Sequence, residues 1–181
     1  MTRTEAFRGS RAKCENMFSR KTAIVTISDR GARGDREDLS GQALAEKLRA
    51  AGFEVFRRII VPDEYEEIRR VLADLSDGES AALIITTGGT GVAPRDVTPE
   101  ATLSVIEKPV PGFAEAMRAA SLLKTPHAMI SRGVAGIRRK TLIVNLPGSP
   151  KGAVENLESI LPAFPHALDK IQGDPSDCAS P

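Results

Sequence analysis

Tryptophan is missing from this 181-residue chain, tyrosine occurs once, and aromatic residues make up only 4% of it. Platforms for stacking single-stranded bases are therefore lacking. Neither sign of charge dominates: 25 Lys and Arg stand against 24 Asp and Glu, a formal net charge of +1. That balance excludes a basic nucleic-acid face and an acidic tail. Cysteine is scarce. Cys14 and Cys178 sit in opposite terminal stretches, without metal-ligand spacing and badly placed for a structural disulfide. The two histidines, His127 and His166, lie far apart with no Cys or acidic cluster nearby, which argues against a histidine-based metal site. Apolar runs are too short to cross a bilayer and no apolar signal segment opens the chain, so a cytoplasmic protein is expected.

What is present has the rhythm of an α/β protein. Residues 1–20 are polar and basic and read as a disordered tail, in which Met17 is an alternative start. Residues 173–181, rich in Pro, Ser and Asp, read as a flexible end. Between them, 21–172 carries one domain, with no internal repeat and no composition shift. Apolar, partly β-branched runs predict strands over 22–27, 53–61, 81–87 and 141–146. Helical spacing and stop signals predict helices over 39–51, 62–77, 99–107, 113–123, 152–161 and 164–171. Ala128-Met129-Ile130 suggests a further short strand, with Gly133 to Gly136 as a turn. Alternating strands and helices imply a mostly parallel sheet covered by helices on both faces.

The most telling stretch runs from Thr86 to Glu100, TTGGTGVAPRDVTPE, directly after an expected strand. Gly88, Gly89 and Gly91 allow a close backbone approach, and Thr86, Thr87 and Thr90 could face an anion along with the loop amides. Arg95 and Asp96 follow, and Thr98-Pro99-Glu100 reads as a helix cap, a first-turn proline and a first-turn acid. This is the layout of a phosphate site, yet neither standard glycine motif fits. Val92-Ala93-Pro94 stands where a P-loop needs Lys and a hydroxyl, and Pro94 where a dinucleotide fingerprint needs glycine. A ligand-free turn remains the alternative.

In a parallel sheet the crevice lies beyond the carboxyl ends of the strands. That rule gathers Ser28-Asp29, Pro62-Asp63, Gly88 to Asp96, and Asn145 to Lys151 at one edge. Arg95, Arg132 and Lys151 would neutralise phosphate oxygens, and Asp63 with Asp96 would hold Mg²⁺, which commonly takes one or two carboxylates plus substrate phosphates. The chemistry implied is phosphoryl or nucleotidyl transfer by positioning and charge stabilisation. Each residue has a plainer role open to it. Asp63 with Glu66 could cap a helix, Arg95-Asp96 could be a surface ion pair, Asn145 could bond the next turn, and Lys151 could be solvated.

The motifs TTGGTG and PRDVTPEAT, with ISDR, VPDE, PGFAEAM, ISRGVAGIR and NLPGSPK, closely resemble those of the molybdopterin adenylyltransferase family, which includes domains of gephyrin and its plant counterpart. The resemblance runs from about Thr22 to Gly173. It implies a three-layer α/β fold, a homotrimer, and Mg²⁺-dependent transfer of AMP from ATP to molybdopterin, with hand-over to a molybdenum insertase. Matched by motif, Asp63 and Asp96 are the essential aspartates. Thr87, Gly88, Gly89, Thr90, Gly91 and Arg95 form the nucleotide loop. Ser28, Asp29, Asp38, Ser131, Asn145, Gly148, Ser149 and Lys151 fall to the molybdopterin side. A non-catalytic molybdopterin carrier or scaffold of the same fold is the rival.

Overall fold

The run KTAIVTI forms β1 (Lys21–Ile27), six of whose seven residues are buried, one position in from the edge of a six-stranded sheet. The computed structural model describes residues 19–78 and 81–175. Most of the expected tail over 1–20, with Cys14 and Met17, lies outside those residues, as does Cys178. After β1 come α1 (Asp29–Ala32), α2 (Leu39–Ala50), β2 (Glu54–Val61), α3 (Tyr65–Asp77), β3 (Leu83–Thr87) and α4 (Thr98–Leu103). The chain continues through β4 (Lys108–Pro109), α5 (Pro111–Leu122), a 3₁₀ turn at Pro126–Ile130, β5 (Ala135–Arg138), β6 (Thr141–Leu146), α6 (Pro150–Ile160) and α7 (Phe164–Gln172).

Strand order is β2-β1-β3-β6-β5-β4. β2, β1, β3 and β6 run parallel, while β5 and β4 are antiparallel to their inner neighbours. Alternate residues of the inner strands feed two cores. Ile24, Leu83, Ile85, Leu142 and Val144 meet α2, α5, α6 and α7 on one face. Ala23, Val25, Ile84 and Ile143 meet Ile68, Leu72 and Leu75 of α3 and Ala101 of α4 on the other. The result is a three-layer sandwich, and burial on both faces is why the inner strands read as unbroken apolar runs. No described helix is long and apolar enough to cross a membrane.

Phe164 closes the larger core. It is fully buried, edge-on to Phe53 at 6.1 Å and tilted against Phe113 at 5.5 Å. Phe164→Ala should lower stability by about 3–5 kcal/mol, read as a lower urea midpoint at unchanged slope.

The helix expected over 99–107 ends at Leu103, and Lys108–Pro109 pairs with β5 as β4. Local chemistry overrides the expected pattern in a further region. Ala128-Met129-Ile130 is not a strand: Thr125 accepts the His127 N–H (3.3 Å) and Pro126 sets the first position of a 3₁₀ turn. Met129 and Ile130 consequently face outward. The turn expected at Gly133–Gly136 gives way to β5 at Ala135. Gly136 is favoured by packing, since a Cβ there would lie 2.9 Å from the Lys108 carbonyl oxygen, which is fixed in the β4–β5 ladder, as well as against the Ile106 side chain.

Candidate active site

Strand order reverses between β1 and β3, so their carboxyl ends open a crevice. Gly88 sits in its floor with φ 105°, and a Cβ on it would lie 2.2 Å from the Ile27 carbonyl oxygen. Gly89 has φ 62°, and its Cβ would lie 2.3 Å from Thr98 Oγ1. Both positions therefore require glycine. The flanking threonines serve the scaffold. Thr87 Oγ1 donates to Pro147 O (2.7 Å), and Thr98 Oγ1 donates to Gly88 O (2.9 Å) rather than capping α4, whose cap is Val97. Thr86 is fully buried and accepts from Asn145. Of the three threonines expected to face an anion, Thr86 thus points inward, while Thr87 and Thr90 border the cavities described next.

Two cavities flank the glycine loop. One, of about 480 Å³, is lined by Thr90, Gly91, Asp96, Arg118 and Ser131 among others. The second, of about 340 Å³, is lined by Ser28, Asp38, Ser40, Asp63, Thr87 and Gly88 among others. Gly89, Gly148 and Ser149 border both. Two long helices begin at the smaller cavity. Asp38 caps α2 by accepting the Gly41 N–H (2.8 Å), and Ser149 caps α6 by accepting the Gly152 N–H (3.2 Å). Helix starts present unpaired N–H groups and favour anions.

The two expected aspartates lie on opposite sides of the loop. Asp63 does not cap α3, whose cap position is Glu64. Its carboxylate accepts the Asp29 N–H (2.8 Å), while the Asp63 N–H donates to Asp29 Oδ1 (3.1 Å). Burial raises the Asp63 pKa, and the negative charges of Asp29 and Asp96 add to that rise. Asp29 behaves oppositely: its bond to Arg95 holds its carboxyl below the usual range. Arg95 pairs with Asp29 (2.8 and 2.9 Å) and Glu64 (2.8 Å), not with its neighbour Asp96. Asp96 accepts the Ala93 N–H (2.8 Å), and a Cβ on Gly91 would come within 2.9 Å of its Oδ2, so a larger residue at 91 would press on that carboxylate.

Other expected residues are placed differently. Asn145, 1% exposed, lines neither cavity. Its amide donates to Thr86 and Thr102 hydroxyls (3.0 and 2.9 Å) and accepts the Val134 N–H (3.2 Å), so it ties β6 to β3, α4 and the approach to β5. Asp38 borders the smaller cavity, but one oxygen already serves Thr26 Oγ1 (3.0 Å) and Gly41 N. Lys151 is exposed on the first turn of α6, outside both cavity walls. Arg118 of α5 is an addition to the expected set. It lines the larger cavity and donates to Gly133 O (3.1 Å); its only signal in the sequence is a charged residue directly after the buried Met117.

Among the described residues no cluster of three or more His, Cys, Asp or Glu could hold a metal. The donor set nevertheless suits Mg²⁺, which keeps few protein ligands and completes its shell with phosphate and water. Burial, with the nearby charges of Asp29 and Asp96, disfavours the ionised form of Asp63, and a cation beside it would offset that cost.

The crevice at the strand ends, with two helix starts and a glycine loop around it, defines an α/β domain of the doubly wound kind. The chain belongs to the family described as the probable molybdopterin binding domain, whose model matches residues 23–166. It is 46% identical over 153 residues to a molybdopterin adenylyltransferase of Helicobacter pylori, covering 83% of this chain and 87% of that one. Gephyrin of Dictyostelium discoideum is 42% identical over 164 residues, which is 84% of this chain and 22% of gephyrin. The crystal structure of the molybdopterin biosynthesis enzyme MoaB from Thermus thermophilus superposes with a TM-score of 0.82 at 52% identity, covering 89% of this chain and all of that one.

Proposed function

We propose that this protein is a molybdopterin adenylyltransferase. A phosphate oxygen of molybdopterin attacks the α-phosphorus of ATP, a new P–O bond forms, the bond to the β-phosphate bridge breaks, and pyrophosphate leaves. The observation that carries this reading is the pair of cavities with a common wall at Gly89 and Gly148-Ser149, one bordered by Asp96 and the other by Asp63. Two phosphate-bearing substrates can meet there, and the chemistry needs no protein nucleophile.

Glycine-loop amides and the starts of α2 and α6 supply fixed dipoles for phosphate oxygens without reorganising during reaction. Asp63 and Asp96, with the substrate phosphates, would hold Mg²⁺, which when bound neutralises charge on the transferring group. The domain runs over 21–172, and its end at Gln172 is tied to the stretch just before β1, accepting the Ser19 N–H (2.8 Å) and donating to Ser19 O (2.7 Å). A cytoplasmic homotrimer that hands its product to a molybdenum insertase completes the reading. Leu122, Leu123, Met129 and Ile130 are exposed apolar residues near the end of α5 and in the 3₁₀ turn that follows, and would suit contact between copies.

The test is direct. Purified protein incubated with molybdopterin, Mg²⁺ and ATP should release pyrophosphate and yield adenylylated pterin by mass spectrometry, and EDTA should abolish both. Tight pterin binding with no pyrophosphate would establish the carrier instead.

A further inference from the structure

The loop that carries Asp96 has few bonds of its own. Residues 92–95 are exposed, and the turn is closed by Asp96 N–H to Ala93 O (2.9 Å) and Ala93 N–H to the Asp96 carboxylate (2.8 Å). Two arginines grip it from opposite sides. Arg132, between the 3₁₀ turn and β5, donates its backbone N–H to Thr90 O (2.9 Å) and its Nε–H to Gly91 O (2.6 Å). Its Nη2 reaches Asp96 O and its Nη1 the Glu100 carboxylate of α4. One residue thus spans both ends of the loop and the helix that follows.

Arg95 reaches the other way from the crest of the loop. Its guanidinium takes both oxygens of Asp29 and one of Glu64. Asp29 and Asp63 in turn exchange backbone N–H and carboxylate bonds. The chain of contact therefore runs Arg95, Asp29, Asp63 on one side and Arg132, loop carbonyls, Asp96 on the other.

We propose that Arg132 and Arg95 are positioning residues for the two site carboxylates and not phosphate ligands, an inference that rests on the transferase reading above. Each nitrogen of the Arg132 guanidinium is bonded to a loop carbonyl or to Glu100, so three of its five N–H donors are engaged there and its charge is paired with Glu100. The charge of Arg95 is matched by Asp29 and Glu64. Neither side chain lines either cavity. Exposed ion pairs such as that of Arg95 add little stability. Their value here is geometric, because a planar fork fixes direction as well as distance, which a lysine ammonium does not. This reverses the expectation that both arginines neutralise phosphate.

The experiment uses the full chain and three variants, Arg132→Met, Arg132→Lys and Arg95→Met. It measures steady-state AMP transfer, Mg²⁺-ATP binding by calorimetry, and amide exchange over residues 90–97. Misplaced carboxylates should lower kcat by about 100-fold in Arg132→Met. KM and calorimetric Kd for ATP should stay within about twofold. Arg132→Lys should recover only a minor part of the loss, since one ammonium cannot span three acceptors. Exchange should quicken at Ala93 and Asp96. Arg95→Met, at an exposed position, keeps the idea falsifiable should Arg132→Met fold poorly. A rise of about tenfold in KM and Kd for ATP with kcat unchanged would make these residues phosphate ligands and overturn the proposal. If wild-type protein releases no pyrophosphate, the transferase reading fails separately. Unchanged amide protection in Arg132→Met would then overturn the positioning role.

Discussion

Asp63→Asn should abolish most AMP transfer while leaving the protein at least as stable as wild type. Folding raises the pKa of Asp63, chiefly through burial, with the charges of Asp29 and Asp96 adding to it. A carboxyl whose folded pKa lies above its unfolded value favours folding when protonated. That contribution is fully present below the unfolded pKa and is lost as pH rises through the folded one. At neutral pH the ionised group therefore works against the fold. Asparagine is neutral at every pH and its amide oxygen can still accept the Asp29 N–H, so the thermal midpoint at pH 7 should not fall. The difference between variant and wild type should shrink as pH drops toward the carboxylate range. Transfer, by contrast, should fall by about 100- to 1000-fold, the usual result of removing one charge-stabilising group from a preorganised site. Near-wild-type turnover would remove Asp63 from the chemistry. A markedly lower midpoint at pH 7 would mean that its charge supports the fold instead.

The sheet is legible in the sequence because burial on both faces leaves its mark on every inner strand. Ala23 to Ile27, Leu83 to Ile85 and Leu142 to Val144 are buried at consecutive positions and almost wholly apolar, and no surface helix has that pattern. The edge strand β2, half exposed, shows itself by its β-branched residues and by the turn signals around it. The 3₁₀ turn escapes such a reading because an apolar triplet says nothing about what covers it. Thr125 and Pro126 decide the backbone there, and Met129 and Ile130 stay outside. At the site, the strand-end rule brings Ser28, Asp63, Gly88 to Asp96 and Gly148-Ser149 to one crevice, since it depends only on strand direction. Side-chain direction is not legible in the same way. Asn145 precedes that crevice in sequence but turns inward, because its β-strand position puts it on the face shared with Thr86 and Thr102. Arg95 and Arg132 read as phosphate cations in the sequence, and the acceptors their guanidinium groups hold are visible only in the structure.

Gly88→Ala should be the most damaging single change among the loop glycines, and a second glycine shows why. Position 88 combines two penalties. Its φ of 105° is unfavourable for any residue with a Cβ, and the added methyl would lie 2.2 Å from Ile27 O. That carbonyl belongs to backbone and cannot swing away: Ile27 is paired with Val61 in the β1–β2 ladder, and the next residue donates Ser28 N–H to Val61 O (2.8 Å). Gly34 carries only the first penalty, with φ 81° and nothing within 4 Å of an added methyl. Gly34→Ala should therefore cost about 1–2 kcal/mol, the penalty for a left-handed alanine. Gly88→Ala should cost about 2–5 kcal/mol, the same left-handed penalty plus about 1–3 kcal/mol for overpacking against fixed atoms. Urea unfolding of the two variants separates the terms, and equal losses would mean that Gly88 does not approach Ile27 so closely. Whatever fraction of Gly88→Ala folds should also be poor at transfer. Relieving the overlap pushes β3 and its loop away from β1, and a displacement of about 1 Å in a site held between two carboxylates is enough for about a 100-fold loss.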